Sequence, residues 1–502
     1  MTNRSYRAKI NVFFGVLNKI FNCVLPFFSR TVVLYLLGSQ YLGLGTLFTS
    51  ILSFLSLTEL GISSAINYAM YKPLAYGDYT EVGTLLNFYK KIYRIIGFVM
   101  LSIGLIIIPL IPYLISGYIP TDINISILYI IYLLSSVCSY FFCGYRTCLL
   151  SASQREDIVS KIGIVVLLFN NIGQIVVLCL FKNYYAFAIV PIISAIVNNV
   201  SCAIVSKRLY PEIICQGKID IKTKKALRKK ISGLFGTKLN SVVVHQADAL
   251  VISSFLGLET LAAYGNYYYI MNAISAFIIV VFTSLTASVG NKLAIDDIED
   301  NYQLFKRISF LNSWMVGIAC SCFISIYQPF MKIWTKGKLM LPMGVVVLLV
   351  IYFFVYQVQR TILTYKDAAG LWYEDRYRPY VSMICNLALN IFLVKIIGLY
   401  GIIISSIIAF LISLPWSNYV LYHFLFNRKS VLNLLEIFKW FFITVLACSL
   451  CYLLCSLFAE NLIGIILRIF ACLLVSNVIF IFVFRNRDEF LFFCKKIIFI
   501  NK

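Results

Sequence analysis

The chain has 502 residues, 61% of them apolar and only 13% charged, with a formal net charge of +22. A soluble globular domain carries about a quarter of its residues as charges, so that class is excluded. Nucleic-acid binding is excluded as well, because the Lys and Arg residues flank apolar runs instead of forming a basic domain.

Apolar runs of about 20 residues, enough to cross a bilayer, recur along nearly the whole length. Fourteen spans are predicted, near 10–37, 41–71, 92–116, 125–150, 162–181, 186–206, 231–257, 262–290, 308–334, 342–364, 379–397, 401–425, 440–458 and 463–484. The N-terminus is basic (Arg4, Arg7, Lys9) and then apolar, as in a signal peptide. The apolar stretch is too long for one, carries Lys19 and Arg30, and lacks a small-residue cleavage site, so an uncleaved first helix is expected. With the N-terminus inside, five cations fall outside (Lys182, Lys332, Lys336, Lys338, Lys395) and six within spans (Lys19, Arg30, Arg146, Lys238, Arg360, Arg468). The rest are cytoplasmic, and the positive-inside rule then puts both termini in the cytoplasm.

In the first span Asn11, Gly15, Asn18, Lys19, Asn22, Pro26, Ser29 and Arg30 recur at three- and four-residue steps. Lys19 and Arg30 are separated by about three helical turns and share a face. Asn and Ser serve interhelical packing equally well. Two cations are different: each costs about 2.5–3.5 kcal/mol at the bilayer centre, so they are expected to face a wet cavity or an anionic ligand. The second span continues with Thr49, Ser53, Ser56, Glu59, Ser63 and Asn67. Glu59 suits either an ion pair with Arg30 or Lys19, or a proton-carrying role. Arg146, near the cytoplasmic end of the fourth span, suits snorkelling or a cytoplasmic mouth.

Residues 207–230 carry nine Lys or Arg and follow the sixth span, as a cytoplasmic linker between two six-helix bundles would. Beyond it, the seventh span carries Lys238, Ser241, His245 and Asp248. Arg360 ends the tenth, and Ser382, Asn386 and Asn390 line the eleventh at four-residue steps. A carboxylate with two amide carbonyls suits Na⁺, while interhelical hydrogen bonding explains the two Asn residues at least as well. Arg468 stands alone in the last span and reads as a snorkelling or headgroup contact, and Cys448, Cys451 and Cys455 as small packing residues. With two histidines, no metal cluster is expected. The chain has no Walker A loop, so ATP hydrolysis is not expected and energy must come from an ion gradient, the membrane potential or downhill substrate flow.

A weak internal repeat supports duplication. Leu37-Gly38 … Leu42 … Phe48 aligns with Leu256-Gly257 … Leu261 … Tyr267 at an offset of about 219, and Arg146-Thr147-Cys148-Leu149 with Arg360-Thr361-Ile362-Leu363 at about 214. Six spans per half give parallel halves with substrate bound between them. The expected organisation is an N-lobe (1–206), the basic linker (207–230), a C-lobe (231–426), and two C-terminal helices with a cytoplasmic tail (427–502).

The stretch YLGLGTLFTSILSFLSLTELGISSAINYAMYKPLAYGDY (41–79), FYKKIYRIIG (88–97), DALVISSFLGLETLAAYGNYYYI (248–270), TSLTASVGN (283–291) and GLWYEDRYRP (370–379) resemble the Wzx-like oligosaccharide flippases of the multidrug/oligosaccharidyl-lipid/polysaccharide exporter superfamily. The resemblance covers the first twelve spans. It implies a V-shaped, all-α integral membrane fold of two pseudo-symmetric six-helix lobes plus two C-terminal helices in a bacterial cytoplasmic membrane. It also implies that a polyprenyl-diphosphate-linked oligosaccharide moves to the outer leaflet for surface polysaccharide synthesis. Arg30 matches the family's first-helix Arg and Asp248 its seventh-helix Asp. Leu42-Gly43-Leu44-Gly45-Thr46-Leu47-Phe48 departs slightly from the family's Leu-Gly-x-Asn-Gly-Leu-Phe, and His245-Gln246-Ala247 before Asp248 is less usual.

The substrate-binding candidates are therefore Lys19, Arg30, Glu59, Arg146, Lys238 and Arg360, and the ion-coupling candidates Asp248, Asn386 and Asn390, with Na⁺ or H⁺ as the ion and no other cofactor. Arg suits bidentate phosphate contacts and Lys supplies a point charge. Membrane lipids, a polysaccharide polymerase and glycosyltransferases of the same pathway are the expected partners. A cell-wall lipid-precursor flippase and a multidrug exporter of the same superfamily are the alternatives. A membrane polymerase or glycosyltransferase ranks lower, because the acidic cluster Asp296, Asp297, Glu299 and Asp300 lies in a cytoplasmic connection.

Overall fold

The computed structural model of the chain describes residues 2–59 and 61–500, with side chains described within 10–494 except at 58, 60, 222, 226, 228–235, 237, 238 and 287. Among the described residues the chain is all helix and turn, with no strand. The first half contains α1 (Thr2–Leu36), α2 (Ser39–Leu55), α3 (Ile62–Tyr76), α4 (Tyr79–Ile107), α5 (Ile125–Phe141), α6 (Thr147–Ala152), α7 (Glu156–Phe181) and α8 (Tyr184–Leu209). The long α9 (Ile221–Ile295) follows, then α10 (Ile298–Thr335), α11 (Met343–Val358), α12 (Arg360–Ala369), α13 (Arg378–Ile397) and α14 (Leu399–Leu421). The last elements are α15 (Val431–Cys455), α16 (Leu462–Phe484) and α17 (Asp488–Ile500).

Among the described residues, eleven helices are long and apolar enough to cross a membrane, or twelve when the bent pair α5–α6 counts as one span. The apolar part of α9 runs for 57 residues. At 1.5 Å per residue that is enough for two crossings, and Gly257 breaks it with φ 85°. The span expected over 41–71 is α2 and α3, joined through a short 3₁₀ turn at Ser56–Glu59 and Gly61 in the left-handed region. With α9 taken as two spans and α2–α3 as one broken span, the helices follow the fourteen predicted stretches in order.

The internal repeat has a backbone counterpart. Gly38, opening α2, has φ 111° and ψ 179°, and Gly257, the residue aligned with it, has φ 85° and ψ 173°. Only glycine adopts this conformation without strain, which is why the repeat keeps that residue. The second aligned pair is also matched. Arg146 closes the 3₁₀ turn that leads into α6, and Arg360 begins α12 with a single residue between it and the end of α11.

The chain forms two compact units, Met1–Ala262 and Ala263–Lys502. In the first, α1 packs along α7, α7 on α8, and α5 on both α4 and α8. Gly43 brings α2 against the backbone of α9: a Cβ there would stand 2.2 Å from the carbonyl oxygen of Leu258. Lipid tails are as apolar as the helices they bathe, so close backbone approach and interhelical hydrogen bonds replace hydrophobic drive.

In the second unit α10 packs against α11, α15 and α16, and α14 against α11 and α13. Trp440 of α15 stacks on Phe484 of α16, with centroids 4.2 Å apart, and Gly317 of α10 makes room for the Phe480 ring. Cys451 and Cys455 are buried together with Cys472, in agreement with the reading of the first two as packing residues. Arg468 corrects the snorkelling expectation. It is 6% exposed and donates from Nη2 to the carbonyl of Phe458 (2.6 Å) and from Nη1 to that of Ser325 (3.3 Å). Those acceptors tie α16 to α10 and to the loop after α15.

Candidate functional site

The polar stripe of α1 divides by role. Asn11 donates to the carbonyl of Gln154 (3.0 Å) and accepts from the backbone of Asp157 (2.9 Å). Asn18 packs over Gly163, and Ser29 donates to Asn171 Oδ1 at 3.0 Å. These groups fasten α1 to α7. Lys19 is exposed, and Arg30 is partly exposed. Arg30 lies within electrostatic reach of the Tyr132 and Tyr184 hydroxyls.

Glu59 is the only carboxylate in residues 1–77. Its oxygens accept from Tyr93 (2.7 Å) and Tyr140 (2.6 Å), so the ion pair considered with Arg30 or Lys19 is replaced by a tyrosine cage. Tyr89 packs on Tyr93, and Tyr93 on Tyr140, with centroids 4.5 and 5.0 Å apart. The 3₁₀ turn between α2 and α3 is what turns Glu59 toward α4 and α5.

Arg146 approaches Cys215 Sγ at 3.7 Å, in the connection between α8 and α9. Asp248 is 3% exposed on α9. The side chain of Lys238 lies outside the described residues. In the second unit Arg360 donates to the Tyr356 hydroxyl (2.9 Å) and lies over that ring. Asn386 donates to Ser406 Oγ (3.0 Å) and Asn390 accepts from Ser405, both partners being on α14. Both Asn residues are fully buried, and their amides realise the interhelical reading.

A charged cluster passed over in the sequence lies in the same unit. Asp375, Lys366 and Arg378 are all buried. Lys366 pairs with Asp375 Oδ2, and Arg378 Nε lies 2.9 and 2.7 Å from the two Asp375 oxygens. Arg378 also donates to Ser413 Oγ (2.7 Å), which donates to Gln359 Oε1 (3.3 Å). The cluster joins α12, the turn after it, α13 and α14. The signal was an acid and a base three residues apart beside Pro379, but Lys366 gave no hint of closing the triad.

An all-α, multi-pass membrane architecture with charged groups set inside its spans is the class these features define. Three solved structures share the fold. The lipid II flippase MurJ in an inward closed conformation matches with a TM-score of 0.67 and 16% identity, over 95% of this chain and 99% of that one. An inward-facing multidrug resistance MATE family transporter of the MOP superfamily matches at 0.63 and 13% identity, over 80% and 93%. A point mutant of the Vibrio cholerae MATE transporter VcmN matches at 0.59 and 14%, over 86% and 99%. No protein-family model matches the chain, and no curated protein matches it.

Proposed function

We propose that this protein is a flippase that carries a polyprenyl-diphosphate-linked oligosaccharide from the cytoplasmic to the outer leaflet by alternating access. The single observation that carries the reading is the state of α1 and its surroundings. The one acid in the first two spans is held by tyrosines, while Lys19 stays exposed and Arg30 partly exposed. A diphosphate entering a membrane needs such cations, because an unpaired buried anion is prohibitively costly. The fold supports the reading, since it is shared with a solved lipid II flippase. Asp248, an acid buried in a membrane helix, is the candidate for coupling transport to Na⁺ or H⁺.

A cell-wall precursor flippase would meet the same phosphate chemistry, and a multidrug exporter would not. The test is a leaflet assay in vesicles holding the purified protein, with fluorescent polyprenyl-diphosphate oligosaccharide, lipid II and an organic cation as separate cargoes. Rapid flipping of the oligosaccharide lipid, with little movement of the other two, is expected. Preference for lipid II would reassign the cargo, and preference for the cation would end the phosphate reading.

A further inference from the structure

The turn from Gly370 to Tyr377 joins two stretches long and apolar enough to cross a membrane, Met343–Ala369 and Arg378–Ile397. It therefore stands at the edge of the bilayer, on the side where the positive-inside rule expects the cytoplasm. Its backbone is fixed from behind. Gly370, with φ 71°, ends α12 in the left-handed conformation, and its N–H and that of Leu371 donate to the carbonyls of Asp367 (3.3 Å) and Lys366 (3.1 Å). Asp375 ties the turn to Lys366 and Arg378 in the buried cluster.

The outer side of the turn presents rings: Trp372, Tyr373, Tyr377 and Tyr380 are all exposed. Amphipathic rings collect where headgroups meet acyl chains, which is where a turn between two spans places them. Arg376, also exposed, lies among them. Its guanidinium carbon is 3.7 Å from the Tyr373 ring centroid and 4.6 Å from that of Tyr377. Nη1 donates to the Tyr373 carbonyl (3.2 Å) and Nη2 to the Tyr377 hydroxyl (3.3 Å). A guanidinium carries five N–H groups, so three are left for a ligand. Among the described residues no carboxylate pairs with this cation. Asp375 serves Lys366 and Arg378, and Asp367 accepts from Trp372 Nε1 (3.1 Å).

We propose that Arg376, clamped between Tyr373 and Tyr377, binds the phosphodiester of an anionic phospholipid of the surrounding membrane. A planar fork matches two phosphate oxygens, and the rings that hold it reduce the freedom lost on binding. Sugar stacking is the other use of exposed rings, but it needs bare faces, and the guanidinium covers one face of Tyr373. Lys19 and Arg30 belong to the first compact unit, and the lipid site does not rest on their role.

The experiment titrates the full-length protein in detergent with dioctanoyl phosphatidylglycerol and reads the bound lipid by native mass spectrometry. Arg376→Ala should weaken binding about tenfold, the scale of one hydrogen bond to a charged group. Dioctanoyl phosphatidylcholine should bind the wild type about as weakly as phosphatidylglycerol binds that variant. Unchanged binding in Arg376→Ala, or equal binding of the two lipids by the wild type, would overturn the site. Tyr373→Leu keeps the charge and removes the clamp, should lose severalfold, and stands in if Arg376→Ala folds poorly. Arg376→Lys should recover only part of the affinity. A lysine variant that binds as tightly as the wild type would reduce the site to a point charge and overturn the clamp. Farnesyl diphosphate should bind wild type and Arg376→Ala alike, and a tenfold loss there would give the fork to the cargo instead of a membrane lipid. Inorganic phosphate at the lipid's concentration should not displace phosphatidylglycerol, and displacement would overturn the headgroup assignment in favour of a free anion.

Discussion

Replacing Arg30 by alanine is expected to abolish delivery of the lipid-linked cargo while the protein still inserts. An arginine–phosphate contact can be bidentate, and each charge-assisted bond contributes about 1.5–3 kcal/mol. Losing two of them lowers the flipping rate by about a hundredfold or more, since each 1.4 kcal/mol is a factor of ten. The fold should tolerate the change, because the packing of α1 on α7 runs through Asn11, Asn18 and Ser29. Surface polymer output, set against the amount of protein in the membrane, is the measurement. Arg30→Lys should retain part of the activity, having kept the charge and lost the planar fork. Normal polymer output from Arg30→Ala would take residue 30 out of the mechanism.

The largest effect on stability is expected at Asp375. Its carboxylate faces both Lys366 and Arg378, and all three side chains are buried. Asp375→Ala leaves two like charges without their counter-ion, and breaking a buried pair from one side costs about 3–5 kcal/mol. The variant should give poor yield and a melting temperature well below wild type after detergent extraction. Adding Lys366→Met to Asp375→Ala should recover a good part of the loss, because a buried pair replaced as a whole is close to neutral. Wild-type melting of Asp375→Ala alone would show that the triad contributes nothing to the second unit.

Much of this architecture is legible in the sequence, for a physical reason. Spans announce themselves by apolar length, and the glycines at 38 and 257 mark junctions that no other residue adopts easily. Helical periodicity also places Lys19 and Arg30 on one polar face. It does not reveal what lies opposite. Glu59 could be recognised as a costly charge, but its partners Tyr93 and Tyr140 come from helices 34 and 81 residues away. Asn386 and Asn390 illustrate the same limit: four-residue spacing fits an ion site and an interhelical seam alike, and it gives no hint that Ser405 and Ser406 of α14 are the hydrogen-bond partners. For Arg468 the sequence offered only depth, and the backbone carbonyls that accept from it sit in other elements.

The most direct test is whether the Lys19–Arg30 face of α1 meets both water and phosphate. Cys23 lies on that face, four residues after Lys19 and seven before Arg30. In the wild-type protein, which keeps both cations, labelling of Cys23 by a membrane-impermeant maleimide would be followed by mass spectrometry in sealed vesicles, with and without polyprenyl diphosphate. Labelling that the diphosphate blocks is the expected result. A Cys23 that resists the reagent, or that reacts equally fast with the diphosphate present, would contradict the phosphate role of this face.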